Sequence, residues 1–129
     1  MIAYLDSSVA LAHLLAEDKR PPEQLWQESI VSSRLLQYEI WNLLHARGLI
    51  PAKADEAEQL LGRIDLLELT PAVLRRALEP FPLPVRTLDA LHLATIEFLR
   101  GKGRAVQLVS YDARLRASAG ALGIAAQSW

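Results

Sequence analysis

The apolar positions of this chain come in short blocks separated by polar, helix-compatible stretches. Ile2-Ala-Tyr-Leu5 is a four-residue apolar run at the start, and such a run reads as a buried strand. Asp6-Ser-Ser8 follows, and Val9–Leu15 has helical character. Glu17–Pro22 is a polar break whose prolines can open a second helix through Trp26. Ile30-Val31 predicts another short strand. Ser32 or Ser33 then caps a helix running to Arg47, stopped by Gly48. Pro51 starts a further amphipathic helix that ends near Leu60 and Leu61. Ile64–Leu69 is read as a strand or extended link, and Thr70-Pro71 as a cap-then-proline helix start reaching about Leu78.

The alternating prolines of Glu79-Pro-Phe-Pro-Leu-Pro84 exclude regular structure, because they remove donors and disfavour the helix on either side. Thr87 is then a candidate N-cap for a helix carrying Leu88, Leu91, Ala94 and Leu99 at helical spacing, which predicts one buried face. Gly101-Lys-Gly103 closes it. Val106–Val109 is the clearest strand after the first, and Ser110-Tyr-Asp112 leads into a helix through Ala117. Gly120 and Gly123 frame a turn into Ile124 and Ala125. Short apolar strands alternating with helices predict an α/β protein with a parallel sheet covered on both faces. No repeat, low-complexity tract or linker divides the chain, so residues 1–129 are expected to form one domain.

Composition narrows the chemistry. With no cysteine, a disulfide framework, a thiolate zinc site and a cysteine nucleophile are all excluded. The apolar runs are too short to span a bilayer, and the N-terminus lacks a basic region followed by an apolar signal core. Both observations point to a cytoplasmic protein with no membrane partner. The net charge of −1 does not advertise a nucleic-acid partner, but its distribution is uneven. Residues 1–70 carry 6 Lys+Arg against 11 Asp+Glu, and residues 71–129 carry 8 against 4. An acidic centre beside a basic rim would have this asymmetry, as would ordinary solvated surface charge.

Four carboxylates stand in unusual places. Asp6 directly follows the first strand and Asp112 lies just beyond the strand ending at Val109, where open parallel sheets bind ligands. Helix capping accounts for either residue taken singly. Glu39 falls three residues after Leu36 and four before Leu43, on or beside the apolar stripe of its helix. An acid there needs a partner or a metal; a salt bridge to an arginine is the alternative. Asp89 sits in the first turn of its helix, where the helix dipole favours an anion. If the four converge, their oxygens suit a hard divalent cation such as Mg²⁺ or Mn²⁺ and metal-assisted phosphodiester hydrolysis.

Taken together, Tyr4-Leu-Asp-Ser-Ser8, Ser33 through Glu39 and Leu43, Arg86-Thr-Leu-Asp-Ala-Leu-His-Leu-Ala94, and Val109-Ser-Tyr-Asp112 with Leu115 form a recognisable order. The chain resembles PIN-domain ribonucleases, most closely the VapC-type toxins of toxin–antitoxin pairs, over essentially its whole length. The resemblance implies a PIN-like three-layer sandwich, with a short central parallel sheet flanked by helices. It implies a metal-dependent endoribonuclease acting on RNA, with Asp6, Glu39, Asp89 and Asp112 as the metal-binding and catalytic acids and Mg²⁺ or Mn²⁺ as the cofactor. Ser110 matches a small hydroxyl residue that helps hold the metal or its water, and Ser7 matches a hydroxyl beside the first acid. A homodimer and a small antitoxin partner are also implied. Two other readings stay open: a housekeeping PIN nuclease of RNA processing, and a non-catalytic binding module whose acids are caps and salt bridges.

His92 is expected to pack and hydrogen-bond within the Asp89 helix, not to act as a base, and His13 and His45 show no zinc pattern. Arg34, Tyr38, Trp41 and His45 share a helix face that is either solvated or an interface. Trp26 and Trp129 are expected to cover the core. Arg75, Arg76, Arg86, Lys102, Arg104, Arg114 and Arg116 could line an RNA path, with Arg114 and Arg116 the first candidates for substrate contact.

Overall fold

A computed structural model describes residues 1–129. Four strands, β1 (Ile2–Leu5), β2 (Ile30–Ser33), β3 (Asp65–Leu67) and β4 (Val106–Val109), form one sheet in the order β3-β2-β1-β4, with every pairing parallel. Six α-helices cover it: α1 (Ser7–Leu14), α2 (Leu35–Ala46), α3 (Ile50–Leu61), α4 (Pro71–Leu78), α5 (Thr87–Gly101) and α6 (Ala113–Ala121).

The continuous apolar run of β1 follows from burial on both faces. Successive side chains of a strand point to opposite sides. Ala3 and Leu5 therefore join a core with Val9 of α1, Leu36, Ile40 and Leu44 of α2, and Leu60 of α3. Ile2 and Tyr4 join a second core with Leu93, Ile96 and Leu99 of α5 and Leu115 of α6. The result is the expected three-layer α/β sandwich.

The strand order decides where a ligand can bind. From β1 the chain steps to β2 and β3 on one side, and it returns to β4 on the other side of β1. The reversal opens a crevice at the carboxyl ends of β1 and β4, the usual ligand position in such sheets. Leu5 pairs with Val109 in the register, and the Asp6 N–H donates to the Val109 carbonyl at 3.0 Å. Asp6 and Ser110 are thus set side by side.

Several local expectations are corrected. The segment through Trp26 is a single 3₁₀ turn, Glu23–Gln27. α2 starts at Leu35, with the Ser33 hydroxyl accepting from the Leu35 N–H at 3.1 Å, and ends at Ala46; Gly48 follows in the left-handed region. α6 continues past Ala117 to Ala121. Thr87 does not cap α5: the N-cap is Arg86, without a side-chain bond, and Leu88 is 47 % exposed. Ala94 and Leu99 are buried as read and Leu91 is half-buried, but the buried face also takes in His92, Leu93 and Ile96 and leaves Leu88 out. Ala126, just past the Ile124-Ala125 turn, forms a parallel bridge with Leu108 on the outer edge of β4.

Candidate active site

Asp6 caps α1 and is only 5 % exposed. One of its oxygens, Oδ2, accepts from the Ser8 hydroxyl at 2.7 Å and the Ser110 hydroxyl at 2.8 Å. The Ser8 hydroxyl in turn accepts from the Tyr111 N–H at 2.9 Å, and that of Ser110 from the Asp112 N–H at 3.0 Å. The two strand-end loops are therefore tied together through the first acid. Capping and site-building are both true of Asp6, because the cap geometry is what aims the carboxylate into the crevice.

Glu39 projects from α2 into the same crevice. Its Oε2 accepts from the Ser7 hydroxyl at 3.2 Å, and its Oε1 lies 2.5 Å from Nε2 of His92. A carboxylate only accepts, so His92 must carry its proton on Nε2 here. Nδ1 of His92 lies 2.7 Å from the Tyr4 hydroxyl. In the neutral imidazole that nitrogen accepts, and the tyrosine donates. His92, 1 % exposed, is thus a bridge between β1 and α2 and does not bond within its own helix, correcting the expectation. Burial alone would pull its pKa down. The Glu39 hydrogen bond and charge, backed by Asp6 and Asp89, outweigh burial and hold it above the ordinary value.

Asp89 and Asp112 are held differently. Both pair with Arg86, whose guanidinium reaches Asp89 Oδ2 at 3.2 Å and Asp112 Oδ2 at 2.9 Å. Asp112 also caps α6 through the N–H groups of Arg114 and Leu115. Burial pushes the Asp89 carboxyl above the usual range, Arg86 pulls it back, and the charges of Asp112 and Asp6 push it up again; the net shift is upward. All four predicted acids line one cavity of about 490 Å³ with Ser7, Ser8 and Arg86. At its floor Asp6 and Glu39 form a tight group with the buried His92 behind them, the ligand atoms of the three lying within 4.8 Å of one another.

This donor set fits a hard divalent cation. It is rich in carboxylate oxygen, contains no sulfur, and has an acid already raised by its surroundings. His92 has both nitrogens engaged, whereas the carboxylate oxygens keep spare lone pairs beside their hydrogen bonds, so the carboxylates are the available ligands.

The basic residues divide. Arg114 lines a neighbouring cavity of about 470 Å³ that shares Arg86 and Asp89 with the acidic one. Arg116, expected to face substrate, turns inward instead and donates to the carbonyls of Ser110 at 3.2 Å and Gln127 at 3.0 Å. Arg76 is paired with Glu97 at 2.9 Å and stacked over Phe81, and Lys102 lies over the Phe98 ring. Tyr38 and His45 are exposed on α2, whereas Trp41 packs against the first core. Trp26 packs there too, and Trp129 meets the edge of Tyr111.

Sequence reasoning missed Ser8, the bridging role of His92, and Gln127. Ser8 and His92 were legible as polar residues two and three positions after an acid, Asp6 and Asp89. Gln127 had no local signal.

Comparison with known proteins agrees with this geometry. A family model described as PIN domain matches residues 3–121. The chain is 35 % identical over 126 residues to Ribonuclease VapC46 of Mycobacterium tuberculosis (strain ATCC 25618 / H37Rv), covering 95 % of this chain and 93 % of the relative. It is 33 % identical over 96 residues to Ribonuclease VapC35 of Mycobacterium tuberculosis (strain CDC 1551 / Oshkosh), covering 74 % and 69 %. Its fold superposes on a chain of a toxin–antitoxin complex from Klebsiella pneumoniae with a TM-score of 0.66 at 15 % identity, covering 89 % and 90 %. The chain belongs to the PIN-domain family and, within it, to the VapC-type ribonucleases.

Proposed function

We propose that this protein is a divalent-metal-dependent endoribonuclease, the toxin of a toxin–antitoxin pair. It would act in the cytoplasm as a homodimer and be inhibited by a small antitoxin protein. The observation that carries the reading is the convergence of Asp6, Glu39, Asp89 and Asp112 on one cavity at the crevice between β1 and β4. Its ribonuclease relatives support the reaction class, and the structural neighbour, a chain of a toxin–antitoxin complex, supports an antitoxin as the partner.

The four acids would hold Mg²⁺ or Mn²⁺. When bound, such an ion supplies charge neutralisation for a phosphodiester and acidifies water for attack. The chain's own residues do the rest. Ser8 and Ser110 fix the rotamer of Asp6, and His92 and Ser7 fix both oxygens of Glu39. Arg86 stands at the mouth, where it neutralises Asp89 and Asp112 and can meet a phosphate. Single-stranded or loop RNA suits the cavity, since unstacked nucleotides can enter it.

The test is an RNA cleavage assay with Mg²⁺ or Mn²⁺, with EDTA, and with Asp6→Asn and Asp89→Asn. EDTA should abolish cleavage. Each substitution should cost more than the roughly 10–100-fold typical of losing an outer partner of a metal ligand. Undiminished cleavage by both variants would overturn the proposal.

A further inference from the structure

The last residues of the chain lie beyond the stretch matched by the PIN-domain model, which ends at residue 121. They are nevertheless built into the site. β4 is an edge strand, and the C-terminal segment pairs with its outer side: Leu108 N–H donates to the Ala125 carbonyl at 2.8 Å, and Gln127 N–H to the Leu108 carbonyl at 3.0 Å. Beyond that point the side chain of Gln127 takes over from the backbone. Its Oε1 accepts from the Ser110 N–H at 3.0 Å, and its Nε2 donates to the Ser110 carbonyl at 2.8 Å. A primary amide presents a donor and an acceptor side by side, so it can engage both polar groups of one residue as a neighbouring strand would.

Gln127 is 2 % exposed and Ser110 fully buried, so neither peptide group of Ser110 has water as a substitute partner. Arg116 closes the clamp from α6, donating to the carbonyls of both Ser110 and Gln127. The residue held this way is the one whose hydroxyl donates to Asp6 Oδ2 and accepts from the Asp112 N–H.

We infer that Gln127 is a positioning residue of the metal site, acting through Ser110 to set Asp6 and the Asp112 loop. Nothing in Gln127 touches the cavity itself; its effect passes through the Ser110 backbone. The inference rests on the metal-site reading above. It predicts that loss of the clamp weakens metal binding more than its effect on stability explains.

The experiment measures melting temperature against Mn²⁺ concentration for the full chain and takes as its midpoint the apparent Kd, the concentration at which the logarithmic rise sets in, fitted by one-site linkage. Gln127→Ala should raise that midpoint on the order of tenfold, the low end for outer partners of metal ligands. Gln127→Met keeps the length and bulk of the side chain but loses both the acceptor for the Ser110 N–H and the donor to its carbonyl, so its midpoint should match that of Gln127→Ala. Ile64→Val, in the core beside β3 and away from the site, serves as the stability control and should keep the wild-type midpoint. An unmoved midpoint in Gln127→Ala, or an equal shift in Ile64→Val, overturns the inference while leaving the metal site standing. If Gln127→Ala does not fold, an unmoved midpoint in Gln127→Met overturns it. Absence of any Mn²⁺ stabilisation in the wild type overturns the metal-site reading, and this inference with it.

Discussion

Asp89 shows how a single side chain can be costly to the fold and still suit a site. Its carboxyl is held above the usual range mainly by burial, against the partial relief given by Arg86. A raised carboxyl pKa means that the folded state disfavours the charged form relative to the unfolded chain. Asp89→Asn is therefore expected to melt higher than the wild type in EDTA near pH 7, because the exposed Arg86 pair it loses is worth little. The same substitution should blunt the rise in melting temperature on adding Mn²⁺. Thermal denaturation of both proteins with and without metal checks the two halves together. At this scale the sequence was partly legible. Asp6, Glu39, Asp89 and Asp112 could be picked out by their positions relative to strand ends and apolar stripes. The hydrogen-bond partners of Asp6 and Glu39 could not, since Ser110 lies 104 residues from Asp6 and His92 lies 53 from Glu39.

At the scale of elements, α2 carries the clearest division of labour. Leu36, Ile40 and Leu44 pack into the first core with no solvent exposure, and Glu39, one residue before Ile40, faces the crevice. Packing of that stripe fixes the rotation of the helix and hence the direction of the carboxylate. Leu36→Ala is expected to destabilise the protein by about 2–5 kcal/mol, as buried leucine truncations do; urea denaturation measures it. The helical period of α2 was readable from its sequence, as was the strand character of β1 and β4. The face of α5 was read correctly at Ala94 and Leu99 but not at Leu88. Leu88 has the spacing of a core residue, but it lies in the first turn at the rim of the acidic cavity, where no element covers it. Helical periodicity reports which residues share a face, and it does not report where along the helix the covering element ends.

For the molecule as a whole, the site makes metal-free stability depend on pH. His92 is held above its ordinary pKa, so its contribution is fully present below about pH 6.5 and is lost as pH rises through the higher folded value. Asp89 works in the same direction at lower pH, because its raised carboxyl loses its proton in the folded state only above the usual carboxylate range. In EDTA the wild type is expected to lose melting temperature as pH rises above about 6.5. His92→Asn should flatten that loss. With Mn²⁺ present the trend should oppose this, since metal ligands must be deprotonated and affinity rises with pH. Melting curves from pH 5.5 to 8.5, a range of about two units above and one below the ordinary histidine value, distinguish these outcomes.

By itself the sequence determined most of the strands and helices, the layered α/β class and the positions of four candidate acids. Each of these depends on local periodicity, on turn chemistry, or on which residue follows a strand. The tertiary structure alone decided that the strand order reverses between β1 and β4, which brings Asp6 and Asp112 to one crevice from opposite ends of the chain. It also decided that His92 bonds Glu39 and that Gln127 bonds the backbone of Ser110. Their roles depend on neighbours supplied by other elements, Tyr4 and Glu39 for one and Ser110 for the other, and no local pattern encodes such a meeting.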